Sequence, residues 1–146
     1  MSDSMKFKIK NLGKVTKNIS KLLVKSLEGG VKLQKDITVE VLSRVATMTP
    51  VDTGRATANW RAKLNTPDSN VYPFSFDKGM IPRTTIERGK AVLNKAKVGD
   101  TMYISNSVQS SPEEGGYILK LEGGASQQAP NGMVRLAVDT TIVSHL

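Results

Sequence analysis

The chain has no cysteine, one histidine and one tryptophan among its 146 residues. Without cysteine there is no disulfide, no thiolate nucleophile and no Cys-ligated zinc. The lone His145 excludes a two-His metal site and an internal Ser–His triad within one chain. No apolar run reaches the roughly 18 residues of a membrane span. The Lys-rich start is not followed by the apolar stretch of a secretory signal, and none is expected. Neither G-x-x-x-x-G-K-[ST] nor G-x-G-x-x-G occurs, because the glycine pairs 29/30, 115/116 and 123/124 have the wrong spacing. The G-x-S-x-G elbow and the EF-hand spacing are missing too. Glu113, Glu114 and Glu122 lie close in sequence but carry no pocket pattern around them. These absences predict no catalytic residue, no metal, no cofactor and no small-molecule substrate. They point to a binding or structural protein rather than an enzyme, with room for one domain over 1–146.

What is present is charge, unevenly placed. The formal net charge is +8, and residues 1–100 carry +10 of it against −2 over 101–146. Lys6, Lys8, Lys10, Lys14 and Lys17 form a candidate basic surface. Such a surface suits an acidic neighbour, DNA phosphates or plain solvent, and lacks the interleaved aromatics of a dedicated nucleic-acid site.

Periodicity outlines the elements. Residues 1–4 are polar and expected to fray. Met5, Phe7 and Ile9 alternate with lysines, as in a short strand. From Val15 the period becomes helical through Ile19, Leu22, Leu23 and Leu27, and Gly29-Gly30 is expected to break or kink the helix. Leu33, Ile37, Val41, Val45 and Met48, with Leu42 and Ala46 beside them, then give the best amphipathic helix in the chain, ending before Pro50. Strict alternation over Arg55–Leu64 predicts a half-buried strand carrying Trp60. Residues 65–82 read as a long loop whose Tyr72, Phe74 and Phe76 either dock on a neighbour or fold back on their own core. A helix capped by Thr84 or Thr85, with Glu87 in the capping-box position for Thr84, is expected through Lys97, then a strand over 101–106 and a short helix over 117–122. A last helix, capped by Asn131, should run from Gly132 to about Ser144. The fold class expected is α+β, with a long N-terminal helix and a C-terminal helix packed on a small, mostly antiparallel sheet.

Two compact signatures remain. One is Thr49-Pro50-Val51-Asp52-Thr53-Gly54-Arg55 with Trp60 beyond it. The other is Tyr117, then Leu121-Glu122-Gly123-Gly124-Ala125-Ser126-Gln127-Gln128-Ala129-Pro130-Asn131-Gly132-Met133. Together, in this order, they resemble the neck or tail-completion proteins of tailed bacteriophages, also described as head–tail joining or minor tail proteins. The segment 109–116 departs from that pattern as an insertion between the Asn106 strand and the second signature. The resemblance implies a structural virion protein, made in the host bacterial cytoplasm. It would form a homo-oligomeric ring, six copies before twelve, between adjacent neck and tail proteins, with genomic DNA passing through the lumen. It implies no reaction and no membrane. Pro50, Asp52, Thr53, Gly54, Arg55 and Trp60 would be motif and turn residues. Tyr72, Phe74, Phe76, Glu122, Ser126, Gln127, Gln128, Pro130 and Met133 are the subunit-interface candidates, and a pairing of Arg55 with Glu122 would join the two signatures. The neighbouring tail-terminator ring and a free basic nucleic-acid-binding module are the alternatives.

Overall fold

The computed structural model describes residues 12–50, 54–73, 81–108, 117–124 and 126–146. Helix α1 (Leu12–Met48) is followed by the single turn α2 (Arg55–Ala58) and strand β1 (Arg61–Leu64). Helix α3 (Ile81–Leu93), strand β2 (Met102–Ser105), the short α4 (Tyr117–Glu122) and α5 (Val134–Ser144) complete the order. β1 and β2 pair antiparallel, with Ala62 opposite Ile104 and Lys63 opposite Tyr103. This is an α+β arrangement of long N-terminal helix, C-terminal helix and small antiparallel sheet.

The core lies where α1 meets α3, α5 and the sheet. Leu42, Val45, Ala46, Trp60, Ala62, Leu93, Leu121, Met133 and Ala137 form one buried cluster. The i, i+4 row Ile81, Thr85, Gly89 and Leu93 turns α3 inward. At Gly89 the helices approach so closely that a Cβ there would strike the Leu42 side chain.

Three expectations are corrected. Gly29 and Gly30 do not break α1, which continues through them as one 37-residue helix. Its length is about 55 Å. Both glycines stand in open space, where each lowers helix stability by only ~1 kcal/mol relative to alanine. The alternation over Arg55–Leu64 is not one strand: residues 55–58 form a helical turn, and Ala56, Thr57, Ala58, Asn59 and Trp60 are all buried. Enclosure on every side removes the link between polarity and burial on which a period-two reading depends. Finally, α3 begins at Ile81 and ends at Leu93, with Pro82 in its first turn, where the missing N–H needs no partner. Glu87 accepts from the Arg83 guanidinium at 3.1 Å instead of capping at Thr84. The expected strand over Met5–Ile9 and the ends 1–4 lie outside the described residues.

Candidate functional site

The first signature builds a tight corner. Thr49 directly follows α1 and is buried with Pro50. Gly54 enters α2 with φ 87°, a left-handed conformation that glycine adopts without steric penalty. α2 is too short to satisfy its own carbonyls, so side chains take them. Asn59 Nδ2 donates to Arg55 O at 2.9 Å and Asn106 Nδ2 to Ala56 O at 2.7 Å. Thr85 Oγ1 donates to Thr57 O at 3.2 Å, and Arg88 Nη2 to Ala58 O at 2.9 Å. The Arg55 side chain is exposed. Trp60, 5% exposed, donates its indole N–H to Thr49 Oγ1 at 2.7 Å. Asp52 and Thr53 lie outside the described residues.

The second signature is a loop closed by a carboxylate. After α4, Gly124 takes φ 85°, and Ser126 and Ala129 bridge a turn with Gln127 and Gln128 at its exposed tip. Gly132 takes φ 77° and passes against Glu122, leaving no room for a Cβ. Glu122 Oε2 accepts the backbone N–H of Met133 at 2.9 Å and of Val134 at 2.7 Å, and Oε1 accepts that of Arg135 at 3.0 Å. Burial raises the Glu122 carboxyl pKa, but the N–H groups of Arg135, Met133 and Val134 outweigh it and hold it below the usual carboxylate value. Glu122 therefore caps α5, the role expected of Asn131, and its oxygens are committed there rather than to Arg55.

The interface candidates divide. Gln127, Gln128 and Pro130 are exposed, and Ser126 is half-buried. Met133 is fully buried and belongs to the same cluster as Trp60 and Leu121. The two signatures thus meet in the core, through side chains that no neighbour can reach. Tyr72 folds back on its own chain. Its N–H donates to Asn59 Oδ1 at 2.7 Å, its carbonyl accepts from Asn59 Nδ2 at 3.1 Å, and its hydroxyl donates to Asp68 Oδ2 at 2.8 Å. Phe74 and Phe76 lie outside the described residues, as do Lys6, Lys8 and Lys10. Lys14 is carried on α1, and Lys17 is exposed on the same helix.

Sequence reading missed three features. Arg61 sits with its guanidinium carbon 3.8 Å from the Tyr72 ring centroid. Asn59 and Asn106 are structural amides, indistinguishable in sequence from loop asparagines. Glu40 gathers the end of the chain: Arg44 Nη2 and Ser144 Oγ donate to its Oε1 at 2.7 and 3.0 Å, and His145 Nε2 lies 2.7 Å from Oε2. The hydrogen bonds of Arg44, Ser144 and His145, in that order, lower the Glu40 carboxyl to about 2 against slight opposition from burial.

The apolar stripe of α1 behaves differently from the expected core face. Leu42, Val45, Ala46 and Thr49 are buried, whereas Ile37 and Val41 are only half-buried and Leu33 is 51% exposed. At about 100° per residue the stripe through Leu22, Leu23, Leu27, Leu33, Ile37 and Val41 lies roughly a third of a turn from the core-facing side. Every residue from Ser20 to Gly30 is exposed, including Leu22 at 65% and Leu23 at 59%. Lys17, Lys21, Lys25 and Lys32 occupy the opposite face.

Among the described residues no three His, Asp or Glu side chains gather as a metal site, and no helix is long and apolar enough to cross a membrane. Comparison of the chain with family models, with curated proteins and with solved structures finds no match.

Proposed function

We propose that this chain is a structural subunit of a closed ring in the neck of a tailed bacteriophage, joining or completing the head–tail junction around the DNA channel. The observation that carries the reading is the uncovered stripe of α1. A helix that leaves its domain with Leu22, Leu23, Leu27 and Leu33 each more than half exposed is built to be covered in an assembly. The order of the two signatures supplies the phage context.

A second uncovered surface fits the same reading. On α5, Leu136 and Val143 are exposed seven residues apart, beside Ile142. This helix carries Asp139 and belongs to the acidic third of the chain, whereas the α1 arm is rich in lysine. Two different apolar patches, one flanked by lysines and one beside Asp139 and Arg135, favour a heterologous contact, arm of one copy on α5 of the next. Repeated with rotation, such a contact closes a ring. Six copies is the stoichiometry proposed. The role needs no reaction: shape and charge hold the ring between its neighbours, which are other neck and tail proteins.

Native mass measurement and electron microscopy of the protein, alone and on purified particles, test this. The expected result is a closed oligomer at the head–tail junction. Leu22→Ser, Leu23→Ser and Leu27→Ser combined should leave a folded monomer that no longer assembles. A wild-type chain that stays monomeric in solution and is missing from purified particles overturns the reading.

A further inference from the structure

β1 and α3 carry two arginines, Arg61 and Arg88, that have no acid partner among the described residues. Arg61 and Arg88 are both half-buried, and no described carboxylate lies within ion-pair distance of either. Arg88 uses one donor on Ala58 O. The Arg61 side chain makes no hydrogen bond to any described residue, and its Nε is buried without a partner. Its guanidinium stacks on Tyr72 at 3.8 Å. Asp68, whose charge acts on Arg61, already accepts from the Asn70 N–H at 3.0 Å and from the Tyr72 hydroxyl at 2.8 Å. Both guanidinium pKa values are pushed down, chiefly by burial, and for Arg88 next by repulsion from Arg61.

A half-buried cation normally acquires a partner, because removing its water without replacing the hydrogen bonds is costly. Here Arg88 reaches Ala58 O, three residues before Arg61 on the same segment, near enough for each to feel the other's charge, and the surroundings are held firmly. Asn59 clamps Tyr72 through both its backbone groups, and Ser105 Oγ donates to Asp68 O at 2.7 Å, fixing the 68–72 loop over the sheet. Lys63, two residues along β1, is exposed on the same strand face as Arg61.

We infer that Arg61 and Arg88 form a binding site for a phosphate-class oxyanion, with Tyr72 as the stacking wall that orients Arg61. The donor count favours phosphate over a single carboxylate. Each guanidinium has five N–H groups in a fixed fork; one of the ten is committed to a described acceptor and the Arg61 Nε–H is enclosed, which leaves eight. A carboxylate fills one fork; a tetrahedral oxyanion has enough oxygens for two. The same chemistry is offered by free phosphate and by the phosphodiester of duplex DNA. The inference does not rest on the ring reading.

Thermal unfolding of the full chain in increasing inorganic phosphate, against sodium chloride at matched ionic strength, tests it. A saturable rise in Tm with phosphate alone is expected. Arg61→Gln and Arg88→Gln should each abolish it, while Lys32→Gln, on α1, should retain it. Line broadening of the phosphate phosphorus resonance by wild-type protein gives a second readout that does not depend on the variants folding. Fluorescence anisotropy with a short duplex distinguishes the sources. Affinity weakened about tenfold in Arg61→Gln places the oxyanion on the DNA backbone, the scale of one lost charge-assisted hydrogen-bonded contact. Unchanged DNA binding with the phosphate response lost assigns a free phosphate. Equal Tm rises in phosphate and chloride, or a phosphate response retained in both arginine variants, overturn the inference.

Discussion

Trp60 donates its indole N–H to Thr49 Oγ1 over 2.7 Å, and that hydroxyl in turn donates to the Val45 carbonyl one turn back in α1. The chain thereby ties the start of β1 to the end of the long helix across the turn that contains Pro50. All three groups are buried, so each donor without an acceptor would carry its full desolvation penalty.

Thr49→Val keeps the shape and removes the acceptor. It should destabilise by about 1–3 kcal/mol, because the indole N–H is left buried and unpaired. Trp60→Ala should cost more, roughly 3–5 kcal/mol, through the cavity it opens. Urea unfolding followed by far-UV circular dichroism measures both. A Thr49→Val loss under about 0.5 kcal/mol would mean that the hydrogen bond contributes nothing net.

Gly89→Ala sets two effects against each other. Alanine is better than glycine in a helix by ~1 kcal/mol. The new methyl would strike Leu42, however, whose side chain is fully buried and has nowhere to move, with the Ala62 methyl 3.6 Å away on another side. Overpacking of this kind costs typically 1–3 kcal/mol, so a net loss of about 1 kcal/mol is expected. Leu42→Val in the same chain should recover part of the Gly89→Ala penalty, a coupling that independent sites would not show.

How far the sequence speaks depends on what surrounds each segment. α5, α4 and β2 were legible because each is bounded by glycine, proline or a change of period, and their bounds fall within two residues of expectation. α1 was legible as a helix but not as a continuous one, since a glycine pair in an exposed helix is a small cost that the rest of the helix absorbs. The Arg55–Asn59 turn was misread because its small residues are enclosed on all sides by Thr85, Arg88 and Asn106, partners that lie 28 to 50 residues away. The same distance hides the Arg61–Arg88 pair. Glu122 stands in the second signature, where it is expected at a subunit interface, but its carboxylate caps α5 instead. Its capping role depends on three N–H groups at the start of α5, a juxtaposition that exists only after Gly124 and Gly132 have turned the chain back.

Thr141 is fully buried on α5, the helix that packs on α1, and its Oγ1 has no hydrogen-bond partner among the described residues. Valine has the same shape and no polar atom to desolvate. Thr141→Val should therefore be neutral or stabilising by up to about 1 kcal/mol, whereas a buried Thr→Val change that breaks a hydrogen bond destabilises. Thr141→Ser, which keeps the hydroxyl and deletes the methyl, should lose about 1 kcal/mol. A rise in the urea midpoint for valine and a fall for serine is the expected pair of results. A clear loss on Thr141→Val would show that the hydroxyl has a partner.

Acid should weaken the fold through Glu122 and Glu40. Both carboxyls lie below their ordinary value of 4.5, so both bind a proton more weakly in the folded chain than in the unfolded one. Their contribution is complete above pH 4.5, where both states are ionised, and declines as the pH falls below it, for Glu40 down to about 2. Protonation of Glu122 replaces a charged cap by a neutral one at the N-terminus of α5, where a negative charge is favoured by the aligned peptide dipoles. Glu122→Gln should lower stability at neutral pH by about 1–2 kcal/mol and flatten the upper part of the acid profile. Glu40→Gln should flatten its lower part, toward pH 2, and free the C-terminal Ser144 and His145 from α1. Urea midpoints measured from pH 7 to pH 2 separate the two. If Glu122→Gln and wild type ran parallel through the whole range, the carboxylate would not be the group that caps α5.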